Sequence, residues 1–209
     1  QWRLRQTDPI RKQSAAITVQ LEEIDLCRER LSRQTELKYL YEQIRILNRL
    51  DPRARSEDFR QRYQTVVSRS ILQTVPHHTR FMENVYYYLI WGTYEFVNAN
   101  YSEASNYLRH LVGIWNNNIG QIEERAELYL QTLHTFLTCL LMGKSGFPEF
   151  DATVRSLRNT IRSEALSNIN FEWICYHHEL SYALNLRSAE ETAALIQQIA
   201  TWIQEVGNA

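Results

Sequence analysis

Two histidine pairs come closest to metal or acid–base chemistry in this 209-residue chain. His177 and His178 lie in CYHHELSY at 175–182, and the second pair lies in VPHHTRF at 75–81. Adjacent residues on a helix point about 100° apart. The spacing is also not the H-E-x-x-H arrangement of zinc enzymes. We therefore expect one member of the 177–178 pair to face inward with a hydrogen bond and the other to face water. The 77–78 pair is expected to serve as turn and cap.

Cysteines and glycine-rich loops give no stronger indication of catalysis. Cys27, Cys139 and Cys175 are far apart, form no C-x-x-C pair and lie in apolar helical contexts. We expect reduced thiols that pack as small apolar side chains. Gly-Lys-Ser in MGKSGF at 142–147 lacks the leading glycine and strand of a phosphate-binding loop. The sequence therefore predicts a non-enzymatic protein with no catalytic residue, no metal site and no cofactor.

Charge is distributed unevenly along the chain. Residues 1–70 hold 15 Lys and Arg against 10 Asp and Glu, while the whole chain has a net charge of −1. Guanidinium groups suit phosphate, so a nucleic-acid or polyanion-binding regulatory domain is the alternative function. Glu57 and Asp58 interrupt the basic cluster, and the chain as a whole is not basic, so nucleic acid is the less favoured partner. The cluster consists of Arg53, Arg55, Arg60, Arg62 and Arg69.

Apolar periodicity predicts about nine helices and no strand. Residues 17–31 and 37–47 each carry a helical stripe, which predicts two separate amphipathic helices, the second ended by Asp51-Pro52. SGFPEFD at 145–151 is predicted to be a turn. The other predicted helices cover about 57–72, 79–98, 102–115, 121–142, 154–165, 169–184 and 189–206.

A polar corner between two of these helices carries a family resemblance. Its sequence is ANYSEA at 99–104, and Tyr88, Trp91 and Gly92 precede it, while Leu108 and Leu111 follow it. These residues resemble a tetratricopeptide (TPR) unit, in which two antiparallel helices meet at a Gly-Asn-Tyr-x-x-Ala corner. The chain departs from the family pattern at Glu95, where a tyrosine is usual, and at Asn116, where the closing proline is usual.

The wider layout, with NANYSEASNYLRHL at its centre, is similar to a group of uncharacterised bacterial TPR-like proteins over about residues 37–205. The resemblance implies an all-α fold, a right-handed α-α superhelix (TPR-like solenoid) of about nine helices in stacked antiparallel pairs. It implies one helical-repeat domain over 1–209, with an irregular Arg-rich front at 1–78, the best TPR-like unit at 79–117 and two degenerate pairs at 118–209. Since residue 1 is Gln, we expect a fragment of a longer cytoplasmic protein.

The TPR resemblance also implies where a partner would bind. In peptide-binding units the inner face of the first helix makes the contacts, and the partner is another protein or a peptide. The sequence leaves two matters open: whether the chain's own helices fill this face, and whether the chain forms a homodimer. No apolar stretch is long enough to span a membrane. Carried onto this chain, the peptide-binding positions are Tyr86, Leu89, Thr93, Phe96 and Val97.

Overall fold

The computed structural model describes residues 7–51, 56–143, 147–161, 169–186 and 189–207. Those residues form helices joined by short connections, with no strand, which confirms the all-α class. No helix among them is both long enough and apolar enough to cross a membrane. The helices are α1 (Thr7–Leu50), α2 (Glu57–Val67), a 3₁₀ turn (Ser70–Gln73), α3 (Phe81–Val97), α4 (Tyr101–Asn116), α5 (Gly120–Glu124), α6 (Ala126–Gly143), α7 (Phe147–Ile161), α8 (Ile169–Leu186) and α9 (Ala189–Gly207).

Several boundaries differ from the sequence predictions. The helix predicted over 57–72 ends at Val67, and a separate 3₁₀ turn covers Ser70–Gln73. The two helices predicted at the start are one continuous helix, α1, because no Gly or Pro interrupts residues 14–50. The helix predicted over 121–142 is divided at Arg125 into α5 and α6. The turn predicted at 145–151 is wrong from Phe147 onward, where α7 begins, and Pro148 is well tolerated in a first helical turn.

The core is centred on the α3–α4 hairpin. α4 packs between α3 and α6, α1 packs on α3, and α7, α8 and α9 continue the contacts in chain order. The apolar stripe of α4 faces the core: Ala104, Leu108, Leu111 and Trp115 are fully buried, and Val112 is partly buried. Trp115 meets Phe81 edge to face, with ring centroids 5.0 Å apart.

The polar corner is a tight helix end with a strained residue. The amide of Ala99 donates to the carbonyl of Phe96 (3.0 Å), and the amide of Asn100 donates to that of Glu95 (2.9 Å). This pair of hydrogen bonds is the Schellman arrangement, in which the residue that follows the C-cap has a left-handed backbone conformation. Ala99 accordingly has φ 62°. Glycine is the usual residue at such a position, and in this chain the left-handed backbone forms around alanine.

Gly92 sets how closely α3 approaches α4. A Cβ atom at this position would lie 2.8 Å from Cγ of Leu108 and 2.9 Å from its Cδ2. Leu108 is fully buried, so it has little room to move away. A residue without a Cβ atom is therefore required for this close approach of the two helices.

We expect Gly92→Ala to lower the free energy of unfolding by about 1–2 kcal/mol, because overpacking outweighs the better helix propensity of alanine. Chemical denaturation followed by circular dichroism measures the change. Gly113→Ala is the matched control, since a Cβ there meets nothing within 4 Å; it should stabilise by about 0.5–1 kcal/mol. Equal effects at the two positions would contradict the close-packing argument.

A buried carboxylate connects three elements near the start of α3. Glu83 is almost completely buried. Its Oε2 lies 3.0 Å from Nε of Arg33 in α1 and 3.4 Å from Nη1 of Arg80. Arg33 also donates through Nη2 to the carbonyl of Thr74 at 2.9 Å, just beyond the 3₁₀ turn. The network therefore fixes α1 on α3 and on the segment that precedes it.

Candidate functional site

The face predicted to bind a peptide lies in the interior. Tyr86, Leu89, Thr93 and Val97 are buried and Phe96 is partly buried. Tyr41 of α1 packs on Tyr86 with ring centroids 5.6 Å apart. The chain's own helices therefore fill this face, which is the alternative that the sequence left open.

The other side of the same hairpin carries a cluster of partly exposed rings, which we call the aromatic patch: Tyr88, Trp91, Tyr94, Tyr107 and His110. Trp91 stacks on Tyr107 at 6.0 Å between ring centroids and meets Tyr94 edge to face at 5.8 Å. Tyr88 lies 6.3 Å from Tyr107 and 4.6 Å from His110. The rings thus form one contiguous surface across α3 and α4.

Contacts within the domain hold the aromatic patch in place. The hydroxyl of Tyr94 donates to Gln64 of α2 at 2.7 Å. Tyr88 also packs against Tyr87, a buried ring of the same helix, with centroids 5.2 Å apart. A surface of rigid aromatic rings loses little conformational entropy when a partner covers it.

The border of the aromatic patch is acidic. Partial burial raises the pKa of Tyr107, and the negative charges of Glu95 and Glu103 raise it further. Glu95 accepts a hydrogen bond from Asn100 at 2.7 Å, which orients its carboxylate. Aromatic faces beside carboxylates favour cationic groups, by the attraction of a cation to the ring face and by direct charge pairing.

The arginine cluster is only partly assembled by the fold. Arg62 and Arg69 line one groove of about 320 Å³ between α1 and α2, together with Ile46 and Val66. Arg62 pairs with Asp58 at 2.9 Å, and Arg60 pairs with Glu57 at 3.6 Å. These carboxylates offset part of the positive charge. Arg53 and Arg55 lie outside the described residues.

The expectation for the histidine pair at 177–178 is confirmed. His178 is buried and its Nε2 lies 3.0 Å from Nδ1 of His134 in α6, while His177 is exposed. The pKa of His178 is lowered to about 3, chiefly by burial and also by the neighbouring His134 and His177. Nothing in the local sequence pattern indicates that His134 is the partner, since it lies on a different helix.

The structure locates the cysteines and the side chains that could bind a metal among the described residues. Within the described ranges, no group of three or more His, Cys, Asp or Glu side chains is arranged to hold a metal ion. Cys139 and Cys175 are buried, as expected, and burial raises the pKa of each thiol to about 12. Cys27, in contrast, is exposed on α1, so it does not pack as a small apolar side chain.

Comparisons of the chain with models of protein families, with characterised proteins and with solved structures found no match.

Proposed function

We propose that this chain is a non-enzymatic protein–protein interaction module whose helices stack as a TPR-like solenoid. Support for the stacking comes from helices that pack in chain order and from the close approach of α3 and α4 at Gly92. The proposed setting is a bacterial cytoplasmic protein, as the TPR resemblance implies.

The aromatic patch is the observation that carries the interaction role. Tyrosine and tryptophan are enriched among residues that dominate binding energy at interfaces. Here Trp91 and Tyr107 stack on each other, and each remains partly exposed. Because Glu95 and Glu103 lie beside them, the proposed partner is a protein segment that presents Lys or Arg side chains.

Selection of a random peptide library against the whole chain tests this proposal. Peptides rich in Lys or Arg are expected, and Tyr107→Ala should weaken their binding by about tenfold or more, the effect of losing one interface hot spot. Trp173→Ala is the control, because Trp173 is an exposed aromatic residue on α8, outside the patch. Peptides that bind Tyr107→Ala as tightly as the unchanged chain would contradict the assignment.

The polyanion alternative depends on the groove that holds Arg62 and Arg69. Binding of this kind weakens steeply as salt is raised, since counterions are released from the polyanion. Titration of a fluorescent oligonucleotide at two salt concentrations separates the two functions. Tight, salt-sensitive binding that Arg69→Ala abolishes would favour the alternative over the peptide-binding role.

A further inference from the structure

α1 carries two apolar stripes on opposite sides. One stripe is buried against the domain and comprises Leu37, Leu40, Ile44 and Leu47. The other is exposed along the helix, each member being between 54% and 67% exposed: Leu21, Ile24, Leu31, Tyr39, Ile46 and Leu50. At about 100° per residue, the six exposed residues fall within an arc of about 100°. We call this second set the α1 stripe.

The α1 stripe extends along most of the described length of the helix. Single exposed apolar residues are normal on a protein surface, but six that recur on one side of one helix, with Arg28, Thr35 and Glu42 between them, favour an interaction surface. Leu21, Ile24 and Leu31 lie in a part of α1 that is exposed on all sides. Tyr39, Ile46 and Leu50 lie opposite the buried stripe, and Ile46 also borders the groove between α1 and α2. No helix among the described residues covers the α1 stripe.

The spacing of the α1 stripe is symmetric. Between Ile24 and Ile46, the residues on this side of α1, apolar and polar together, have the same spacing along the sequence in both directions. They are Ile24, Arg28, Leu31, Thr35, Tyr39, Glu42 and Ile46. An antiparallel copy centred on Thr35 would therefore place Ile24 opposite Ile46 and Leu31 opposite Tyr39. The remaining pair would be Arg28 opposite Glu42, which have opposite charges.

A parallel arrangement lacks this match. In-register parallel helices would place Arg28 against Arg28 and Glu42 against Glu42, and like charges that face each other oppose association. Glu42 already has Arg45 at 2.8 Å on its own helix, and an opposing Arg28 would add a second cation to the same carboxylate. The two domains would lie at opposite ends of the antiparallel pair, each on the outer side of its own helix.

We infer that the α1 stripe binds a second copy of this chain, as an antiparallel helix pair centred on Thr35. The interface is two-fold symmetric, so each contact occurs twice. It involves the outer side of α1 and leaves the aromatic patch free. The inference is therefore independent of the proposed partner of that patch.

Sedimentation of the full chain and of charge-exchanged variants tests the inference. The unchanged chain should be a dimer. Arg28→Glu or Glu42→Arg alone should weaken the dimer by at least about tenfold, because each creates two like-charge contacts. The double variant, Arg28→Glu with Glu42→Arg, should restore most of the affinity in the antiparallel arrangement only. Helical content measured by circular dichroism checks that each variant folds.

Disulfide trapping tests the orientation directly. Ile24→Cys and Ile46→Cys, introduced together in a Cys27→Ser background, should form a 24–46 disulfide. These positions are about 33 Å apart along one helix, so that disulfide can only join two chains. A monomeric chain at the highest concentration reached, 24–24 crosslinks in place of 24–46, or a failed rescue by the double variant would each overturn the inference. A dimer that Tyr107→Ala abolishes would place self-association on the aromatic patch and overturn it also.

Discussion

Replacing Glu83 by alanine is expected to lower the free energy of unfolding by about 3 kcal/mol, because removal of one member of a buried ion pair leaves its partners uncompensated. The side chain of Glu83 is only 4% exposed, and it faces both Arg33 and Arg80. Arg33 would lose its carboxylate while it still donates to the carbonyl of Thr74. The contact of α1 with α3 should weaken most.

Glu57→Ala is the matched control for this prediction. Glu57 also lies in the first turn of a helix and pairs with an arginine, but its side chain is 70% exposed. Removal of an exposed pair costs less than about 1 kcal/mol. Urea denaturation at one fixed protein concentration compares the two variants, since self-association also contributes to apparent stability. Equal losses of unfolding free energy at Glu57 and Glu83 would show that the buried network stabilises the chain no more than an exposed ion pair does.

Acidification from pH 7 to pH 5 is expected to destabilise the chain by about 2 kcal/mol through His178 alone. The pKa of His178 is lowered to about 3 in the folded chain, whereas an unfolded histidine has a pKa of about 6.5. Between these values the unfolded state binds a proton that the folded state does not. Stability is therefore complete above about pH 6.5 and is lost as the pH falls below it.

Thermal or urea unfolding across this pH range, with His178→Leu for comparison, measures the effect. The titratable groups that face His178 are His134 on α6 and His177 on its own helix. Leucine cannot bind a proton, so the variant should lose about 2 kcal/mol less between pH 7 and pH 5. A His178→Leu variant with the original pH dependence would exclude His178 as its origin.

Local sequence signals predicted the central hairpin well. The corner at 99–104 and the inward stripe of α4 follow from short-range spacing, and the bounds of α3 and α4 differ from the predictions by only a few residues. The sequence did not predict which side of α3 remains exposed to solvent, because most of the circumference of this helix is apolar. Only the position of α1, fixed through Tyr41 and Arg33, decides that Tyr86 is buried and Trp91 partly exposed.

Long-range contacts account for most of the remaining differences. The apolar stripes at 17–31 and 37–47 predict two helices, and their phase changes between Leu31 and Leu37. In a single helix, that change of phase gives two apolar faces, and the structure shows the face at 37–47 packed on the domain. The pairing of His178 with His134, and of Glu83 with Arg33, joins residues more than 40 positions apart. Periodicity within a window of one helix carries no information about such pairs.

Residues 19–32 of α1 are exposed along their whole length, whereas residues from Leu37 onward pack on the domain. A helical segment of this length without packing is only marginally stable in water. In an isolated chain its amide hydrogens should therefore exchange with solvent far faster than those of Leu37–Leu47. If a second copy covers the α1 stripe, unfolding of this segment is coupled to dissociation of the dimer. The helical order of residues 19–32 then depends on the concentration of the protein.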